Sequence, residues 1–99
     1  MTTQELKKRT FECGIRVVDA VEALPRSETA RAFGRRLLRA GTSVGANYRA
    51  AVHARSRPDF IAKLGIVEEE CDESLYWMEA VVASCLRLKP RAASAERSQ

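Results

Sequence analysis

This sequence has few of the residues that build covalent or metal-held frameworks. Its 99 residues include 3 cysteines and 1 histidine, and Cys13, Cys71 and Cys85 form no CxxC pair. An odd, unspaced set of this kind argues against a disulfide framework and against a zinc site, and points to a reducing, cytoplasmic setting. We read all three cysteines as small core residues. No apolar run approaches the roughly 18–20 residues needed to cross a bilayer, and no apolar signal core stands at the N-terminus, so a membrane protein is not expected. Proline (3) and glycine (5) are too sparse, and the hydrophobic fraction of 45% too high, for a disordered chain. No Ser/His/Asp set, glycine-rich phosphate loop or metal-ligand cluster is present. Glu69, Glu70 and Glu73 with His53 lack the Glu-x-x-His pairs of carboxylate metal sites in helical bundles. We therefore expect no enzyme activity, catalytic residue, metal or cofactor.

What is present is helical periodicity. About Thr3 to Leu24 carries two overlapping apolar seams, Leu6, Cys13, Val17, Ala20, Leu24 and Phe11, Ile15, Val18. Together they cover more of the helix than one neighbour needs. Pro25 stops this helix, and Ser27 can cap the next. The second stretch, about 28–54, has the apolar face Phe33, Leu37, Ala40, Val44, Tyr48, Ala51, with Gly34, Gly41 and Gly45 on an adjoining strip. Glycine in a helix costs about 1 kcal/mol against alanine. Three on one strip mean either close approach of another helix or a bend near Gly41-Thr42-Ser43, and we favour the first. Ser56, Pro58 and Asp59 read as the start of a third helix, about 57–88. Its seam is Phe60, Leu64, Val67, Cys71, Ser74, Met78, Val81, Cys85, with Ile66 and Trp77 roughly 110° away. Lys89-Pro90-Arg91 is expected to break it, which divides the chain into a helical bundle, 1–88, and a short polar tail, 89–99. Three helices with wide apolar faces and no fourth to close them call for self-association.

Charge is segregated along the chain. Lys+Arg total 17 against 13 Asp+Glu, a net charge of +4. Arg26 to Arg57 holds eight arginines and one acid, whereas Pro58 to Glu79 holds seven acids and one base. On the second helix Arg31, Arg35, Arg39, Arg49 and His53 fall within about 80° of one another, opposite the apolar face. A nearly pure arginine face suits nucleic-acid phosphates. The competing reading sets these arginines against the acids Glu69, Asp72 and Glu73 of the third helix. His53 alone reads as a surface residue.

The run Thr42-Ser43-Val44-Gly45-Ala46-Asn47-Tyr48-Arg49-Ala50 resembles the signature of bacterial four-helix-bundle proteins encoded within intervening sequences of the large ribosomal RNA gene. The likeness continues through Ala54-Arg55-Ser56, Asp59-Phe60, Lys63-Leu64 and Ile66-Val67 to Glu70, Glu73 and Tyr76-Trp77, covering about Phe11 to Ala83. It implies an all-α, antiparallel up-and-down bundle of the four-helix type, assembled as a homopentamer without cofactor or catalysis. It also implies kinship with the accessory protein of diversity-generating retroelements, hence RNA or DNA and a reverse transcriptase as partners. Asn47, Tyr48, Glu70, Tyr76 and Trp77 then read as structural. Asn47 would be pinned by Glu70 or by the Thr42 and Ser43 hydroxyls, and Tyr48 and Tyr76 would lie near Trp77 and Ile66. One departure stands out: family members carry a fourth amphipathic helix where Arg87 to Gln99 is short and polar, so here that helix is truncated or nearly absent.

Overall fold

The computed structural model describes the backbone of residues 1–97 and the side chains of residues 1–87. Three α-helices follow one another, α1 (Thr3–Glu22), α2 (Glu28–Val52) and α3 (Arg57–Arg97), with no strand among the described residues. Each helix start has a local cause. The Thr2 hydroxyl accepts the Glu5 amide at 3.1 Å, the Ser27 hydroxyl accepts the Ala30 amide at 3.0 Å, and the Ser56 hydroxyl accepts the Asp59 amide at 3.2 Å. Such caps satisfy amides that the first helical turn leaves unpaired. Both interhelical connections begin within two residues of the expected places, at Ala23 and at His53.

The described residues form three helices where the resemblance implied a bundle of the four-helix type with its fourth helix truncated or nearly absent, and α3 ends elsewhere than expected. Its backbone runs 41 residues without a break at Leu88 or Pro90, reaching Arg97. Ala92, Ala93, Ala95 and Glu96 are strong helix formers, and the backbone beyond the proline continues α3 instead of breaking at Lys89-Pro90-Arg91. Ser98 and Gln99, the end of the expected tail, lie outside the described residues. The molecule is accordingly rod-like, 65 × 20 × 20 Å, with a radius of gyration of 17.3 Å where about 13 Å would describe a globular chain of this length. Among the described residues no helix is long and apolar enough to cross a membrane.

Helix α2 is the centre of the packing. Both α1 and α3 lie against it, but among the described residues no Cα of α1 comes within 8 Å of one of α3. Leu37, 1% exposed, joins Val17 of α1 and Val81 of α3 in the core, with Val21, Leu24, Phe33, Leu38, Trp77, Met78 and Cys85 packed around them. The expected apolar face of α2 is the one buried, Leu37, Ala40, Val44, Tyr48 and Ala51 fully and Phe33 in part.

The glycine strip serves close approach, and α2 is unbroken through Gly41-Thr42-Ser43. A methyl group at Gly41 would sit 2.8 Å from Val17 Cγ2, one at Gly34 3.1 Å from Leu24 Cδ1, and one at Gly45 3.2 Å from the Thr10 main chain. These glycines let α1 lie almost on the α2 backbone.

Two expectations fail for a common reason. Cys13 and Cys71 are exposed, and of the three only Cys85, half-buried, packs against the core. The α3 face on α2 runs Lys63, Val67, Glu70, Ser74, Trp77, Val81, Ser84, rotated by roughly 60° from the apolar seam. With nothing among the described residues against the opposite side of α3, Trp77 and the acidic partners of Arg39 set its rotation, and Phe60 and Cys71 turn outward. The second seam of α1 is likewise uncovered, with Phe11 56% and Ile15 46% exposed.

Substitution of the glycines separates contact from propensity. Gly41→Ala should lower stability by up to about 2 kcal/mol, because overpacking of about 1–3 kcal/mol against the stiff Val17 side chain outweighs the helix-propensity gain of about 1 kcal/mol. At Gly65 an added methyl group would have no neighbour within 4 Å, so Gly65→Ala should raise stability by about 0.5–1 kcal/mol. Thermal unfolding checks the pair, and equal gains from both would contradict the close contact.

Candidate nucleic-acid interface

The α2 arginines divide into two groups. Arg39 turns toward α3, where its Nη1 donates to Glu70 Oε2 at 3.2 Å and its Nη2 lies 2.8 Å from Glu73 Oε1. The hydrogen bond from Arg39 is the main cause holding the Glu73 carboxyl below the usual glutamate range. The same bond to Glu73, with the charges of Glu70 and Glu73, pushes the Arg39 guanidinium up. Arg36, one residue outside the expected set, lies over the Trp77 ring at 5.2 Å, close enough for cation–π attraction. Trp77 also packs against Phe33 at 5.4 Å and meets Tyr76 edge-on at 4.9 Å. Arg36 and Arg39 thus hold α3 against α2.

Arg31, Arg35, Arg49 and His53 are exposed on another side of α2. Among the described residues none of the three arginines has a carboxylate within ion-pair distance. From Arg31 to Arg49 the row is about 27 Å long at 1.5 Å per residue. Packing of α1 on α2 lengthens it at both ends. Arg26 lies with Arg31 and Arg35 around a depression walled by Leu24, Pro25 and Leu38, while Lys7 and Lys8 lie with Arg49 and Phe11 around another. Arg26, Lys7 and Lys8 fall outside the set expected from the sequence, because no single helix carries all of these cations. The chain pattern alone holds no signal for their meeting.

The run around Asn47 is explained by packing. The Thr42 hydroxyl donates to the Leu38 carbonyl at 2.7 Å, and the Ser43 hydroxyl donates to the Arg39 carbonyl at 2.6 Å. The Asn47 amide donates to the Ser43 main-chain carbonyl at 2.8 Å. Asn47 is therefore satisfied within its own helix, and neither Glu70 nor the hydroxyls hold it. Gly45 admits Thr10 and Phe11 of α1. Tyr48 is buried on the core face of α2, 7% exposed, rather than beside Trp77, while Tyr76 is 62% exposed and Ile66 43% exposed. No group of His, Cys, Asp and Glu among the described residues is arranged to hold a metal ion.

Residues 2–92 match the family described as 23S rRNA-intervening sequence protein. The chain belongs to that family. It is also similar to a crystal structure from Bacteroides thetaiotaomicron VPI-5482, a protein of unknown function from the S23 ribosomal protein family. The two are 36% identical, with a TM-score of 0.77 over 85% of this chain and 75% of that one. No curated protein matches the chain.

The ion pairs of Arg39 carry a pH signature. A depressed carboxyl stabilises the fold above the ordinary glutamate range, and that contribution fades as pH falls through the lowered value. In Arg39→Ala, the Glu73 carboxyl should move up toward the ordinary glutamate range, since its largest lowering cause is gone. Asp59, held low by its i,i+4 bond to Lys63, should stay depressed. Carboxyl chemical shifts followed through acid titration check both residues in one experiment.

Proposed function

We propose that this protein is a non-catalytic, self-associating helical protein that grips the backbone of RNA or DNA along the Arg31–Arg35–Arg49 row. The observation that carries the reading is this row itself, three exposed guanidinium groups with no described carboxylate partner, extended by Arg26, Lys7 and Lys8. A solvated helix face gains from mixing signs at i,i+4 spacing, and this one forgoes that gain. Planar, multi-donor guanidinium heads match phosphate oxygens, and the row's length corresponds to about eight nucleotide rises of one strand at 3.4 Å each. Binding of this kind is sequence-tolerant and driven by release of counterions. His53, exposed at the end of α2, flanks the row.

The second reading is a protein-interaction scaffold or an accessory partner of a nucleic-acid enzyme such as a reverse transcriptase. The exposed apolar side chains Leu75, Tyr76, Val82 and Leu86, each at least half exposed, favour it. Salt distinguishes the two. Under the first reading salt releases nucleic acid from an intact assembly, and under the second it weakens the assembly itself, held by arginines against acidic helices.

The triple variant Arg31→Glu/Arg35→Glu/Arg49→Glu should weaken RNA and DNA binding by at least tenfold and flatten its salt dependence, with helix content unchanged. About three lost phosphate contacts correspond to a change of roughly 2–3 in the slope of log K against log salt. Arg39→Ala should have a smaller effect, since its guanidinium already faces Glu70 and Glu73. Fluorescence anisotropy over a salt series reads both, and unchanged affinity in the triple variant would sink the proposal.

A further inference from the structure

The row of exposed arginines has a gap in its middle. From Arg35 to Arg49 is about 21 Å along α2 at 1.5 Å per residue. Over that stretch the same side of the helix carries Thr42, Gly45 and Ala46 in place of cations. The α1 side chains Phe11 and Ile15 stand beside the gap, 56% and 46% exposed. With Gly14 these residues line a groove of about 240 Å³ between the two helices. Gly45 has no side chain to fill it and lies against the Thr10 and Phe11 main chain, so the aromatic ring stands clear of α2.

This groove is positive at its rim and apolar within. Lys7 and Arg49 line it, and the same two residues line the adjoining depression with Gln4 and Lys8, so that Phe11 belongs to both. Among the described residues neither Lys7 nor Arg49 has a carboxylate within ion-pair distance, whereas Lys8 lies 3.9 Å from Glu12. The Thr10 and Thr42 hydroxyls donate to the Leu6 and Leu38 carbonyls at 2.9 and 2.7 Å, which leaves neither hydroxyl to donate to a ligand. Pockets that enclose a small molecule run to roughly 300–1,000 Å³. A smaller groove with an exposed ring on its wall suits instead a flat apolar face that belongs to a longer anionic chain.

We infer that the groove is a stacking platform for an unpaired nucleobase, with one base of a single strand on the Phe11 ring and its flanking phosphates on Lys7 and Arg49. This platform presupposes the phosphate-binding row proposed above and adds to it the strandedness of the ligand. Aromatic faces set among cations hold single strands with little regard to sequence, because every base has a π-face. In a duplex those faces are stacked on one another, so a duplex meets the row through its phosphates alone. Arg26, Arg31 and Arg35, grouped at the far end of the gap, take phosphates of the same strand about six nucleotide rises of 3.4 Å away. With the Thr10 and Thr42 hydroxyls turned into their own helices, stacking and shape act on the base, and discrimination among the four bases is small.

The test compares a labelled oligothymidylate with a labelled duplex of equal length, by fluorescence anisotropy on the full chain. Phe11→Ala should weaken oligothymidylate binding by about fivefold or more and leave duplex binding unchanged. The salt slope should stay the same for both, since no phosphate contact is lost. Phe11→Leu, which keeps the bulk and removes the ring, should show the same loss, and Phe11→Tyr should keep the original affinity. Circular dichroism and light scattering should give unaltered helix content and molar mass in each variant. Equal loss for strand and duplex in Phe11→Ala, or loss for neither, overturns the platform. So does an altered molar mass, which would place Phe11 between protomers. The triple variant Arg31→Glu/Arg35→Glu/Arg49→Glu tells the two failures apart. If it loses both ligands while Phe11→Ala loses neither, the row stands and the platform falls. If it binds both as the unaltered chain does, the row falls and the platform with it.

Discussion

Because α1 and α3 each pack on α2 and not on each other, every long-range contact among the three helices runs through the faces of one helix. That helix meets α1 with glycine and α3 with aliphatic and aromatic bulk. Gly34, Gly41 and Gly45 let the α1 side chain of Val17, Leu24 just beyond that helix and the Thr10 main chain sit within 2.8–3.2 Å of where methyl groups would stand. Leu37 and its neighbours then complete a core narrow enough that few side chains beyond α2 are fully buried. A core of this width follows from a three-helix path, since two helices flanking a third enclose a line of residues rather than a volume.

The same arrangement sorts the charges. The block of arginines on α2 and the block of acids on α3 are adjacent in sequence, and the hairpin between them brings part of each together. Arg39 reaches Glu70 and Glu73 because it projects from the α3 side of α2, whereas Arg31, Arg35 and Arg49 project 40–80° further round, toward α1. An exposed ion pair adds little to stability. Its larger consequence here is to leave the remaining arginines as a separate row, next to the lysines of α1 that have the same sign.

Much of the fold is legible along the chain, and the residues show why. Capping at Ser27 and Ser56 depends on a side chain and an amide three residues apart, so no tertiary partner is needed. The buried face of α2 is readable because that helix is covered on two sides and its apolar residues are all used. The rotation of α3, the exposure of Cys13 and Cys71 and the satisfaction of Asn47 are not readable in that way. Each depends on what lies opposite, and a hydrophobic seam states that a partner is wanted without stating whether one is there. The Asn47 amide turns to the carbonyl four residues back, a choice available in any helix and invisible in composition. The arginine face, conversely, is visible as a periodicity, but its division into two groups is not.

Local chemistry in the sequence determined the helices, their caps, the glycine-lined approach of α1 and the separation of basic from acidic segments, because each rests on residues within about four positions of one another or on a single helical period. Only the tertiary structure decided which arginines face α3 and which remain open, how α3 is rotated, and that Phe11, Ile15, Leu75, Val82 and Leu86 are left exposed. Those outcomes depend on the angular placement of one helix around another, a quantity no single helix encodes.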